Sequence, residues 1–138
     1  MRVNQLATNL GVTADTVRFY TREGILKPEK CPTNGYKEYG QQDRSRLRFI
    51  LSARQLGFSV DDIGQILQQA DKGETPCPTV RRTIERRLED VESRVRDMAL
   101  LKDRMHAAIE DWNDKPDCSP HGHMICHLIE NFPIEEQQ

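Results

Sequence analysis

Apolar side chains recur along this chain in short helical bursts divided by polar breaks, and then in one long regular stripe. In "VNQLATNL", residues 3–10, they fall at Val3, Leu6, Ala7 and Leu10, the spacing of a single helix face. Gly11 ends that run. Thr13 is a suitable N-cap for the next one, "ADTVRFYTREG", which closes at Gly24. Ala7, Gly11 and Val17 have the spacing that a helix-turn-helix needs: a small residue for close approach, a glycine for the turn and an apolar lock on the second helix. Val17 and Phe19 are assigned to the core. "QQDRSRLRFILSARQLGF" predicts a third helix with Leu47, Ile50, Leu51 and Leu56 inward and Arg44, Arg46, Arg48 and Arg54 outward. "SVDDIGQILQQA" predicts a fourth, capped by Ser59, with Ile63, Ile66 and Leu67 buried.

Between the second and third helices lies "KPEKCPTNGYKEYG", where Pro28, Pro32 and the Asn34-Gly35 pair exclude helix and favour a tight hairpin. This stretch is expected to form a β-wing beside the helix-turn-helix. A polar connector, "ADKGETPCP", then leads into a stretch from Thr79 to about Trp112 that contains neither Gly nor Pro. Its apolar stripe is Ile84, Leu88, Val91, Val95, Met98, Met105, Ile109 and Trp112, alternating by three and four with a gap at Lys102. A helix this long runs roughly 50 Å at 1.5 Å per residue, too far for its own head to cover. A second helix must cover the stripe, so a coiled-coil homodimer is expected; the alternative is a lone helix kept in solution by its charges.

The 138 residues divide on this reading into a DNA-binding head (1–75), a dimerisation helix (76–112) and a C-terminal loop and tail (113–138). No apolar run resembles a signal peptide or approaches a membrane helix, so a cytoplasmic protein with no membrane partner is expected. The net charge of -2 conceals an imbalance. Residues 1–54 hold ten Lys/Arg against five Asp/Glu, and the remainder ten against seventeen. A basic head on an acidic body suits a polyanionic partner, here double-stranded DNA. Thr13, Thr16, Arg18, Tyr20 and Arg22 on the second helix, with Tyr36, Lys37 and Tyr39 on the wing, offer hydroxyls and cations to base edges and phosphates.

Four cysteines, Cys31, Cys77, Cys118 and Cys126, read as ligands or free thiols in a reducing compartment. Two of them sit in "CSPHGHMIC", residues 118–126, so Cys118, His121, His123 and Cys126 are candidate metal ligands. His123 and Cys126, three apart, would share a face of any helix starting there. Cys31 in the wing is given no ligand role, His127 is a weaker ligand candidate, and His106 is assigned to structure or solvent.

Taken in order, "LATNLGVTADTVRFYTREGIL", "NGYKEY" and "RLRFI…LGFSVDDIGQIL" resemble the MerR family of bacterial transcription regulators, and the resemblance runs along essentially the whole chain. Lys37 stands where the family more often has arginine, which keeps the charge but not the bidentate geometry. The resemblance implies a mainly α fold: a winged helix-turn-helix head, an antiparallel dimerisation coiled coil and a C-terminal effector site. Antiparallel pairing would bring Cys77, beside Pro78 at the start of the long helix, to the Cys118 and Cys126 loop of the other protomer. It also implies a dimer on a palindromic promoter operator, which on binding metal distorts the DNA so that RNA polymerase engages, at genes of metal resistance or efflux.

The family's Cu(I) sensors lack a cysteine at the helix start and its divalent sensors carry one, although the Cys118–Cys126 interval looks like the copper type. Three thiolates and one imidazole complete a tetrahedral shell for Zn(II), the preferred ion, with Cd(II), Pb(II), Hg(II) and Cu(I) left open. The tight four-cysteine run of the iron–sulfur branch is absent. Two other classes compete: a thiol-based redox or electrophile sensor using Cys77 or Cys118, and a zinc hydrolase. The hydrolase needs a general base that no carboxylate here is placed to supply, so an enzyme is not expected.

Overall fold

The computed structural model describes residues 1–133, so the last positions of the predicted C-terminal segment, 134–138, lie outside the described residues. The helix-turn-helix is built as its residues require. Helix α1 spans Val3–Leu10 and α2 spans Ala14–Arg22. Gly11 turns the chain between them at φ +70°, a left-handed conformation that a Cβ disfavours, and Val12 donates its N–H to the Ala7 carbonyl at 2.9 Å. Thr13 caps α2, its hydroxyl accepting from the Thr16 N–H at 3.2 Å. Leu6, Ala7 and Val17 then meet in the interior.

Strands β1 (Glu29–Lys30) and β2 (Lys37–Glu38) pair antiparallel, with Glu29 opposite Glu38 and Lys30 opposite Lys37. Like charges face each other across both pairs, which weakens so short a ladder. The wing is therefore braced from outside: Tyr39 donates its N–H to the Met1 carbonyl at 2.6 Å, and the Met1 ammonium lies 3.2 Å from Glu38. Asp43, buried at the start of α3 (Gln41–Gln55), accepts from the N–H groups of Gly40 at 3.2 Å and Lys27 at 3.1 Å. One carboxylate thus ties both ends of the wing to the helical layer. Helix α4 (Val60–Asp71) packs on α3, and Leu47, Ile50, Phe58, Ile63 and Ile66 complete the core.

Helix α5 (Cys77–Trp112) begins two residues before the predicted Thr79, with Pro78 in its first turn, where a missing N–H is tolerated. The described chain forms two compact units, Met1–Glu89 and Asp90–Gln138, so the first turns of α5 belong to the head. Val80 and Ile84 pack on the head core. Ile84, expected on the long stripe, thus also serves the head, because the same helical phase passes over both. In the head, Arg87 lies 2.8 Å from Asp62 and within 3.2 Å of the Ser59 hydroxyl, gripping the capping box of α4.

Three further expectations are corrected. Phe19 is exposed at the surface and stacks edge-on against Tyr20, because α2 turns its Val17–Tyr20 face inward. Leu56 is 62% exposed; it follows the last turn of α3, and Phe58 fills the interior in its place. Arg46 is not a free outward cation, since it bonds Asp71 at 2.8 Å and the Ile25 carbonyl at 3.1 Å. Among the described residues no helix is long and apolar enough to cross a membrane.

The Arg87 guanidinium holds the Asp62 carboxyl at about 2, below its ordinary 3.8. A carboxyl lowered on folding stabilises above its unfolded value and loses that contribution as pH falls through the folded one. The contribution at neutral pH is on the order of 2 kcal/mol, of which about 1 kcal/mol is lost between pH 5 and pH 3. Urea unfolding of wild type and Asp62→Asn at those two pH values is expected to show their stability gap shrinking by about that amount. A gap that stays constant would remove Asp62 as the source.

Candidate DNA-binding face and C-terminal thiol loop

The outward side of α2 is polar and cationic. Thr13 and Thr16 lie with their hydroxyls 2.9 Å apart, Arg18 is exposed and paired with Asp15 at 2.9 Å, and Arg22 is exposed at the last turn. An exposed i,i+3 pair of this kind is worth well under 1 kcal/mol, so Arg18 can exchange Asp15 for a phosphate or a base at little cost. On the wing, Tyr36 and Lys37 are exposed.

Tyr20 and Tyr39, expected on the same face, are placed differently. They are only 6% and 2% exposed, and the Tyr39 hydroxyl lies 2.8 Å from the Thr21 hydroxyl. Both rings belong to the core: Tyr20 sits one turn beyond Val17 on the buried stripe of α2, and Tyr39 fastens the base of the wing to the end of that helix. A tyrosine carries both an apolar ring and a polar tip, and composition does not say which is used. Arg2 was missed. Its guanidinium stacks 4.2 Å from the centroid of the Tyr36 ring, a partner remote in sequence that no local pattern reveals.

The C-terminal unit contains the remainder of α5, the segment that follows it and the short helix α6 (His127–Glu130). The segment after α5 is held by specific bonds. The Trp112 indole N–H donates to the Leu128 carbonyl at 3.0 Å, and its ring meets Phe132 edge-on. His127 bonds the Pro116 carbonyl through Nε2 at 2.9 Å. Glu130 accepts two backbone N–H groups with one oxygen, from Ile125 at 2.9 Å and from Cys126 at 2.6 Å, fixing the main chain at the second loop cysteine. Gly122, at φ +57°, turns His121 back to bridge with Met124.

That turn corrects the expected helical register of His123 and Cys126, because α6 starts only at His127. Cys77, Cys118, His121 and His123 are exposed, and Cys126 is half-buried; all four cysteines are free thiols. Among the described residues no three His, Cys, Asp or Glu side chains gather closely enough to hold a metal ion. Cys31 lies in the wing, where the backbone N–H groups of Thr33 and Asn34 hold its thiol below the usual range. His106 is exposed on α5.

Residues 1–70 match the profile of MerR HTH family regulatory proteins, and residues 44–108 that of the MerR DNA-binding region. A mercuric resistance operon regulatory protein of Serratia marcescens is 34% identical, over 99% of this chain and 90% of its own. The HTH-type transcriptional regulator ZntR of Escherichia coli K12 is 30% identical, over 94% and 89%. The crystal structure of the transcription regulator PbrR691 from Ralstonia metallidurans, in complex with lead(II), shares the fold at a TM-score of 0.73 and 22% identity, covering 96% of this chain and 99% of that one. With a profile that spans half the chain and relatives aligned along nearly all of it, this protein belongs to the MerR family of helix-turn-helix transcription regulators.

Proposed function

We propose that the protein is a metal-responsive transcription regulator that binds a palindromic promoter operator as a homodimer and activates resistance or efflux genes when a thiophilic cation is bound. The observation that carries this reading is the union in one chain of a cationic helix-turn-helix with a C-terminal loop that presents two free thiols, Cys118 and Cys126. Relatives named as mercuric resistance regulators support the metal response.

Thr13, Thr16, Arg18 and Arg22 serve base edges and phosphates in the major groove, and Tyr36 and Lys37 serve the flanking backbone. Twofold symmetry places a second copy of this face on the other half-site. At the other end, Cys118 and Cys126 with His121 or His123 supply donors from one protomer, and Cys77 of the other protomer closes the shell. A bound Zn(II) supplies a tetrahedral centre that three thiolates and one imidazole saturate. The three thiols alone favour a second reading in which Hg(II) is the effector and the histidines stay outside the shell.

Activation requires the cation to bind the activating arrangement more tightly than the resting one. Moving such an equilibrium from 1:99 to 99:1 takes about 5.5 kcal/mol of differential affinity, within reach of a multi-thiolate site. Bending an operator costs a comparable few kcal/mol, so the effector and the DNA distortion are matched in scale. RNA polymerase then meets a promoter whose elements are better aligned.

In transcription from the native promoter with a panel of Zn(II), Cd(II), Pb(II), Hg(II) and Cu(I), at least one divalent ion is expected to raise output. Cys118→Ser and Cys126→Ser are each expected to abolish that rise while metal-free operator affinity stays within about twofold. A full response in both variants would contradict the site, and a response to Cu(I) alone would contradict the divalent assignment. Glu130→Ala removes the acceptor for the Ile125 and Cys126 amides and is expected to speed their hydrogen exchange about tenfold in the metal-free protein. Unchanged exchange would show that Glu130 does not hold the loop.

A further inference from the structure

We propose that Arg2 is a phosphate-contacting residue of the wing, held ready by its stack on Tyr36. The inference rests on the promoter-binding reading above and deepens it. Arg2 immediately precedes α1, and its guanidinium lies 4.2 Å from the Tyr36 ring centroid. Among the described residues its close counter-charge is Glu38, 3.9 Å from Nε, and both side chains are about half exposed. So loose a pair is worth a small fraction of a kcal/mol in water and does not neutralise the guanidinium. Stacking leaves the in-plane N–H donors of an arginine free while it fixes the plane in which they point.

The surroundings decide what those donors meet. Tyr36 is anchored at the wing turn, where its carbonyl accepts the Cys31 N–H at 2.7 Å and its own N–H donates to the Asn34 side chain at 3.0 Å. Lys37 follows it on β2, exposed. The base of the wing is fastened to the end of α2 through the Thr21 and Tyr39 hydroxyls at 2.8 Å, on the helix that carries Arg18 and Arg22. Arg2 therefore sets a cation against Tyr36, the neighbour in sequence of the exposed Lys37, and the stack narrows the conformations of a half-exposed side chain. A side chain that is stacked before binding loses less rotamer entropy when it meets a phosphate. The ligand class is the DNA backbone, with no preference for a base.

The role predicts a signature distinct from that of a brace. Each phosphate contact contributes about 0.9 to the slope of log affinity against log salt, so two copies of Arg2 contribute about 2 per dimer. Binding of the full-length protein would be measured between 0.05 and 0.3 M salt, roughly spanning the range where that slope is well defined, on a duplex enriched by the wild type from a random pool. Arg2→Ala is expected to lower the slope by about 2 and the affinity roughly tenfold, uniformly across duplex sequences. Arg2→Lys, which keeps the charge, is expected to keep the slope. If Arg2 merely braces the uncharged Tyr36, Arg2→Ala leaves the slope unaltered whatever happens to affinity, and that result overturns the proposal. A wild type that enriches no duplex overturns the promoter-binding reading itself, whereas an unaltered slope in a wild-type binder overturns this proposal alone.

Discussion

The stripe of apolar side chains along α5 is the feature on which the rest depends. Leu88, Val91, Val95, Met98, Met105 and Ile109 are each 48–65% exposed in the single chain. Covering the exposed half of such a residue is worth about 1–1.5 kcal/mol, so the six gain on the order of 5–10 kcal/mol per helix, and a second copy would gain the same again. Association itself costs roughly 4–15 kcal/mol, which the two stripes together are of a size to offset. Lys102 beside it is tolerated because its stem can lie along apolar surface while the ammonium reaches water. On this accounting the proposed homodimer would answer a solvation demand of α5 as well as serve regulation.

Once two chains pair, the other features acquire their roles. Asp62, Ser59 and Arg87 clamp the first turns of α5 onto α4, so a rotation of that part of the helix must carry the DNA-binding head with it. Thiols at Cys77, Cys118 and Cys126 are the donors that the proposed account brings together across the dimer. On the proposed account the ion is sensed by the joint between protomers, and the long helices deliver the result to the wings and recognition helices.

Local rules made much of this legible. Helical periodicity, Thr13 and Ser59 as caps, Gly11 at the turn and Asn34-Gly35 in the hairpin each act over a few residues, and the fold followed them. What escaped was decided at a distance. Arg46 looked solvated until Asp71 came into reach, and Ile84, in phase with the stripe, packs on the head core. Tyr20 and Tyr39 have amphipathic side chains whose burial only the tertiary packing fixes. Leu56 kept the rhythm of α3 after the helix had ended. In the candidate site the donor residues could be named from the sequence, whereas the Gly122 turn and the grip of Glu130 on Cys126 required coordinates. Arg2 was invisible because its meaning lies in a ring from another element.

The most direct measurement uses mixed dimers. Cys77→Ser subunits are paired with subunits carrying Cys118→Ser and Cys126→Ser, and Cd(II)–thiolate absorption is titrated on the purified heterodimer. If donors from opposite chains close each site, the heterodimer keeps one intact three-thiol site and binds one ion with native affinity, although both parent homodimers bind none tightly. If each site belongs to a single chain, both are broken and the heterodimer binds no ion tightly; that result would contradict the account.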